Sequence, residues 1–293
     1  MVKITLAEER GFCFGVRRAI SAAVRTAQGG AAPGGTFSLG PLIHNPQEIE
    51  RLRGLGIQVA EGLEAVPPDG TVIIRSHGAA PEVFEAARTR GLTVLDATCP
   101  LVTNAQRQAR AFAETGFQVL IVGDAGHPEV RALLAHAPGA VVVSPDDDPA
   151  LVRLLAQGPA GERRRRLGVV AQTTQSPAAF RRVLARLIEL DFGELRVANT
   201  ICEATVAREA GAVALARQAD LMFVLGGHNS ANTRHLADAC RDTGVETHHL
   251  ETADEIDPAW LSGKHHAGVA AGASTPDWVI EAFVARLREL ARE

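Results

Sequence analysis

The sequence predicts an α/β protein of three pseudo-threefold-related α/β units, with small parallel sheets around a central cavity. Two observations carry that expectation. Runs of Val, Ile and Leu alternate with helix-period patterns along the chain, and three short motifs recur three times in the same order. Composition agrees: 46% of the 293 residues are hydrophobic, only 4% are aromatic and none is Tyr. A core of Ala, Val and Leu suits helices packed on parallel strands better than a β-sandwich.

The first unit, residues 1–98, opens on Gly11-Phe12-Cys13-Phe14-Gly15-Val16, a cysteine in a short loop that starts a helix. A strand ending at Leu39-Gly40 then leads to the polar loop His44-Asn45-Pro46-Gln47-Glu48, and a further strand ends in Arg75-Ser76-His77-Gly78. The second unit, 99–198, begins at Asp96-Ala97-Thr98-Cys99-Pro100 and continues through Val122-Gly123, the loop His127-Pro128-Glu129-Val130 and the strand end Gln172-Thr173-Thr174. The third, 199–293, runs from Asn199-Thr200-Ile201-Cys202-Glu203 through Leu225-Gly226-Gly227 and Asn229-Ser230-Ala231-Asn232 to Gly272-Ala273-Ser274. A C-terminal helix follows, with apolar positions at Ile280, Phe283, Val284, Leu287 and Leu290. From cysteine to second-motif residue (13 to 44, 99 to 127, 202 to 230) the spacings are 31, 28 and 28. From cysteine to third-motif residue (13 to 77, 99 to 173, 202 to 274) they are 64, 74 and 72.

A net charge of −4 gives no general attraction to nucleic acid or an anionic membrane surface. No apolar run reaches the ~18–20 residues that cross a bilayer, and Met1-Val2-Lys3-Ile4-Thr5 lacks a signal peptide's apolar stretch. The expected location is cytoplasmic. The arginine run in Gly161–Arg166 reads as a solvated connection between a helix and a strand.

Four cysteines in such a chain make no disulfide framework, which leaves metal ligation, catalysis or burial. Cys13, Cys99 and Cys202 occupy equivalent places, each at the positive end of a helix, a setting that favours thiolate. Close C-x-x-C pairs of structural zinc sites are absent, although zinc on three thiolates stays open. The wide spacing suits an iron–sulfur cube with three cysteine ligands and one open iron. Cys240, without counterparts, reads as packing. His44, His77, Ser230, Asn232 and Ser274 form a set of donors suited to phosphate or diphosphate, with helix capping by Ser230 and Ser274 as the plain alternative. Glu129 is the natural proton donor, with Thr173 and Thr174 as a relay, or else an ordinary first-turn glutamate. A non-catalytic iron–sulfur sensor and a hydratase-like enzyme using iron only as a Lewis acid are the rivals.

These motifs together resemble the 4-hydroxy-3-methylbut-2-enyl diphosphate reductase family of the non-mevalonate isoprenoid pathway, in its order and over almost the whole chain. The resemblance implies a [4Fe–4S] cluster on Cys13, Cys99 and Cys202, with an allylic diphosphate whose C4 hydroxyl meets the open iron. Two electrons and two protons then release water and give isopentenyl and dimethylallyl diphosphate. It further implies that His44, His77, Ser230, Asn232 and Ser274 hold the diphosphate, while His127, Glu129 and Thr173 manage protons and the hydroxyl. The electron donor it implies is a ferredoxin or flavodoxin with its reductase. One position departs: the family's Asn-Ser-Ser-Asn loop is here Asn229-Ser230-Ala231-Asn232. Loss of one hydrogen bond to a charged group costs roughly 1.5–3 kcal/mol where nothing replaces it, so weaker binding rather than lost activity is expected.

Overall fold

The computed structural model describes residues 2–30, 32–144, 166–190 and 192–292. Arg163, Arg164 and Arg165 of the arginine run lie outside these. Arg166 is described: it pairs with Glu194 at 2.8 Å and lies 4.0 Å over the Phe117 ring.

In chain order the elements are β1 (Lys3–Leu6), α1 (Phe14–Gln28), β2 (Thr36–Leu39), α2 (Pro46–Gly54), β3 (Ile57–Ala60), β4 (Thr71–Ile74), α3 (Pro81–Thr89), β5 (Thr93–Asp96) and α4 (Pro100–Glu114). Next come β6 (Gln118–Val122), α5 (Pro128–His136), β7 (Val141–Val143), β8 (Arg166–Ala171), α6 (Pro177–Ile188) and β9 (Glu194–Ala198). The chain ends with α7 (Glu203–Ala216), β10 (Leu221–Leu225), α8 (Ala231–Arg241), β11 (Glu246–Leu250), β12 (His266–Ala271) and α9 (Asp277–Leu290). Five helices, α2 to α6, begin with proline in the first turn, where its missing N–H has no partner to lose.

The strands form three four-stranded sheets, ordered β3-β2-β4-β5, β7-β6-β8-β9 and β11-β10-β12-β1, and every pairing is parallel. One topology is therefore used three times. The third sheet takes its fourth strand from the beginning of the chain: Lys3 to Leu6 register with His266 to Val269. Residues 1–98 therefore contain the whole β3-β2-β4-β5 sheet and also β1, a strand of the third sheet.

Contacts gather the chain into two compact units. The terminal unit comprises Met1–Ile20, Ile43–Leu55 and Glu203–Glu293, and holds the β1-containing sheet; the middle unit comprises Ser21–Leu42 and Gly56–Cys202, and holds the other two.

Alternation along each central strand explains the burial on both faces. In β10, Leu221, Phe223 and Leu225 pack with Ile280, Phe283 and Leu287 of α9, while Met222 and Val224 pack with Leu215 of α7 and Leu236 of α8. In β6, Leu120 and Val122 meet Phe180 and Leu187 of α6, and Val119 and Ile121 meet Ala105 of α4 and Leu133 of α5. The five apolar positions expected of the C-terminal helix are all buried, and the helix starts three residues earlier than Ile280, at Asp277. Cys240 is fully buried in the α7–α8 cluster, and burial pushes its thiol up to about 12. No described helix is long and apolar enough to cross a membrane.

Candidate active site

Each of the other three cysteines stands immediately before a helix: Cys13 before α1, Cys99 as the cap of α4 and Cys202 before α7. None of the three is in a disulfide, and all are half-buried. Each backbone N–H donates to the carbonyl two residues beyond the end of a neighbouring strand. Within the terminal unit Cys13 reaches Ala273 at 3.1 Å; within the middle unit Cys99 reaches Ser76 at 3.0 Å and Cys202 reaches Thr173 at 2.9 Å. Two of the approaching loops are also tightened by the same turn, in which a side-chain oxygen accepts an N–H two residues on. Asp96 accepts from Thr98 at 2.9 Å and Asn199 from Ile201 at 3.2 Å. The Cys13 loop has Arg10 at that place. It is tied instead by Arg208 of α7, which is buried and donates to the carbonyls of Ala271, Gly11 and Glu9 at 2.8, 3.1 and 3.2 Å.

In the middle unit the strand ends gather His77, His127, Glu129 and Thr173. Glu129, in the first turn of α5, is 1% exposed. Thr173 donates to it twice, from its backbone N–H to Oε1 at 2.6 Å and from its hydroxyl to Oε2 at 2.7 Å. Both bonds favour the carboxylate, yet desolvation outweighs them and raises the group to about 7. Glu129 also donates its own N–H to His127 Nδ1 at 3.2 Å, which leaves Nε2 as the protonated nitrogen of a neutral ring. His77 lies edge-on to His127 with ring centroids 5.2 Å apart. Buried Gln172 braces the loop, accepting from the Asp124 N–H at 3.0 Å and donating to the Thr174 hydroxyl at 2.8 Å.

The terminal unit holds His44 and Ser274 on loops, Ser230 at the cap of α8 and Asn232 in its first turn. The Ser274 hydroxyl lies 3.4 Å from the His44 carbonyl. Gly227 packs so closely on the same carbonyl that a Cβ there would stand 2.4 Å away. Ser230 caps α8 by accepting from the Thr233 N–H at 3.3 Å, whereas α9 is preceded by Pro276, so Ser274 is no cap. Asn232 is buried, and its Nδ2 has no partner among the described residues. A buried donor without a partner among the described residues fits an anionic acceptor. Ala231 is buried at the first position of α8.

Residues 4–288 match the family described as LytB protein. The chain belongs to the LytB family. Among its relatives, the 4-hydroxy-3-methylbut-2-enyl diphosphate reductase of Geobacter metallireducens is 44% identical over 289 residues, covering 99% of this chain and 98% of that one. The enzyme of the same name from Geobacter sulfurreducens is 45% identical over 289 residues, covering 98% of each. A solved structure of (E)-4-hydroxy-3-methyl-but-2-enyl diphosphate reductase, the terminal enzyme of the non-mevalonate pathway, shares 40% identity and a TM-score of 0.70 over 99% of this chain and all of that one. The Plasmodium falciparum E-1-hydroxy-2-methyl-but-2-enyl-4-diphosphate reductase shares the fold at a TM-score of 0.86, with 24% identity over 97% of this chain and 87% of that one.

Several positioning residues of this LytB chain stand outside the candidate site residues that the sequence motifs single out. Asp96 and Asn199 carry a legible signal, an Asp or Asn three residues before a cysteine. Arg208 carries a weaker one, an arginine inside an alanine-rich helix. Register also revises one correspondence. Counting from the strand ends, His77 and Ser274 match Thr174, while Thr173 matches Ser76 and Ala273.

Proposed function

We propose that this chain is a 4-hydroxy-3-methylbut-2-enyl diphosphate reductase, removing the C4 hydroxyl of its allylic diphosphate as water. Two electrons and two protons enter, and isopentenyl or dimethylallyl diphosphate leaves. The observation that carries the reading is the identical seating of Cys13, Cys99 and Cys202, each before a helix and each hydrogen-bonded to the same point of a neighbouring strand end. Three half-buried thiols outside any disulfide form a donor set that fits an iron–sulfur cluster, in contrast to the fully buried Cys240. Held by these three, a [4Fe–4S] cluster with one open iron supplies the electrons, which arrive from a ferredoxin or flavodoxin with its reductase. The units 1–98, 99–198 and 199–293 are proposed to bring the three cysteines to a central cavity.

The remaining chemistry falls to side chains. Ser230, Asn232 and Ser274 with His44 and His77 hold the diphosphate, and the orphaned Nδ2 of Asn232 supports that role. Glu129, raised to about 7, is protonated often enough near neutrality to deliver a proton to the departing oxygen. Thr173 bonds to both carboxylate oxygens and relays that proton or holds the substrate hydroxyl. His127, its Nδ1 occupied, presents Nε2–H as a second donor.

The deciding experiment is iron and sulfide analysis with Mössbauer spectroscopy on anaerobically prepared wild type beside Cys13→Ser, with and without 4-hydroxy-3-methylbut-2-enyl diphosphate. The expected result is a four-iron cluster that is lost or degraded in the variant, with one iron perturbed by substrate. Zinc, or no metal after anaerobic reconstitution, overturns the proposal.

A further inference from the structure

A second polar feature of the middle unit is used by none of this chemistry. A cavity of about 340 Å³ is lined by Arg75, Arg131 and Glu61 together with apolar side chains that include Leu39, Leu63 and Val83. Arg75 follows β4 directly, and its guanidinium lies flat against Gly40, where a Cβ would stand 2.9 Å from Nη1. Gly40 has a φ of +71°, so the chain leaves that space by using a residue able to adopt the left-handed region. Burial and the neighbouring Arg131 cation both lower the affinity of Arg75 for its proton, and Glu61 only partly opposes them. Two guanidiniums facing one half-enclosed space repel each other, and the described residues give Arg75 no hydrogen-bonded carboxylate. The helix α3 enters the same wall without a side-chain cap, adding the positive end of its dipole.

We propose that this cavity binds an amphiphilic organic anion, a phosphate or diphosphate ester with a short apolar chain, at a site separate from the active centre. The two arginines and the uncapped helix start receive the charge, and Leu39, Leu63 and Val83 receive the chain. An ester fits better than a bare anion because most of the wall is apolar. The site borders the active centre through the backbone: Gly78 and Pro128 line the cavity, and the residues before them are His77 and His127. Occupancy therefore stiffens the two loops that carry those histidines, giving the site the position of an effector.

The test is calorimetric titration of wild type, Arg131→Ala and Arg75→Met at low ionic strength, with isopentyl diphosphate, a saturated ester with no hydroxyl to lose, and with inorganic diphosphate. The expected result is two equivalents of isopentyl diphosphate in wild type. One of the two weakens at least tenfold in either variant, and inorganic diphosphate fills that same site more weakly than the ester. Circular dichroism of both variants keeps misfolding apart from lost binding, and Arg131→Ala, at an exposed position, is the variant that decides if Arg75→Met fails to fold. A single equivalent in wild type, or two whose affinities neither substitution moves, overturns the proposal. So does slower reduction by an acidic electron carrier in Arg131→Ala with the anion stoichiometry intact, which assigns the arginines to a protein partner.

Discussion

Glu129 sets the pH behaviour of the proposed chemistry. Its buried carboxyl is raised to about 7 by desolvation against two opposing bonds from Thr173, so the folded protein favours the protonated form. The stability this group contributes is fully present below its ordinary value near 4.5 and is lost as pH climbs through about 7. Activity that depends on the protonated acid falls along the same limb. Glu129→Gln keeps the shape and removes the proton source, so kcat drops by roughly 10²–10⁴ and the alkaline break near neutrality disappears from the pH–rate profile. A variant profile that still breaks near pH 7 assigns the acid to another group. Arg208 makes a different kind of prediction, because it acts on the backbone that carries Cys13. Arg208→Met leaves three carbonyls without their charged donor and lowers stability by roughly 1.5–3 kcal/mol in urea titration, with faster iron loss than wild type. Unchanged iron retention beside the expected loss of stability confines Arg208 to a packing role.

The strand-end loops show how far sequence patterns reach. Recurrent cysteines, polar loops and glycines were legible because they are short, polar and placed where Val- and Ile-rich runs stop. The partner of each loop was not legible, because pairing between strands far apart in sequence leaves no local mark. Sequence spacing therefore aligns Thr173 with His77 and Ser274, and only the end of β8 gives that place to Thr174. Arg208 was missed for the same reason: its three acceptors lie at residues 9, 11 and 271. Gly227 tests the loop packing directly. A methyl there would stand 2.4 Å from the His44 carbonyl, so one of the two loops must move. Gly227→Ala is expected to cost about 1–3 kcal/mol in stability, as overpacking does, and to raise KM more than it lowers kcat. An unchanged KM means that the His44 loop does not take part in holding the diphosphate.

The three sheets share one strand order, and each cysteine closes the sheet it follows: Cys99 comes after β5, Cys202 after β9 and Cys13 after β1. A repeat read along a sequence has no marked beginning, so the cysteine read as the opening of each unit. In the hydrogen-bonded order the cysteine also follows the edge strand of a sheet, and the beginning of the chain supplies the fourth strand of the third sheet. β1 is thus a long-range partner held by its register with β12, by the bonds Lys3 to His265 and Ala7 to Val269 at 2.9 and 2.8 Å, and by half-buried Val2, Ile4 and Leu6 against the α9 core. Full burial of such side chains is worth roughly 1.5–3 kcal/mol each, and partial burial of three of them amounts to about 2–4 kcal/mol. Deletion of residues 2–6 exposes the edge of β12, so the amides that face β1, those of Ala267 and Val269, exchange faster while those of β6 and β8 keep their protection. The Cys13 loop hangs from the same strand end through Ala273, and iron content should fall with it. Equal loss of protection in all three sheets means that they unfold as one cooperative unit, with β1 having no special hold on the third. Unchanged protection in β12 removes β1 from the stability of that sheet altogether.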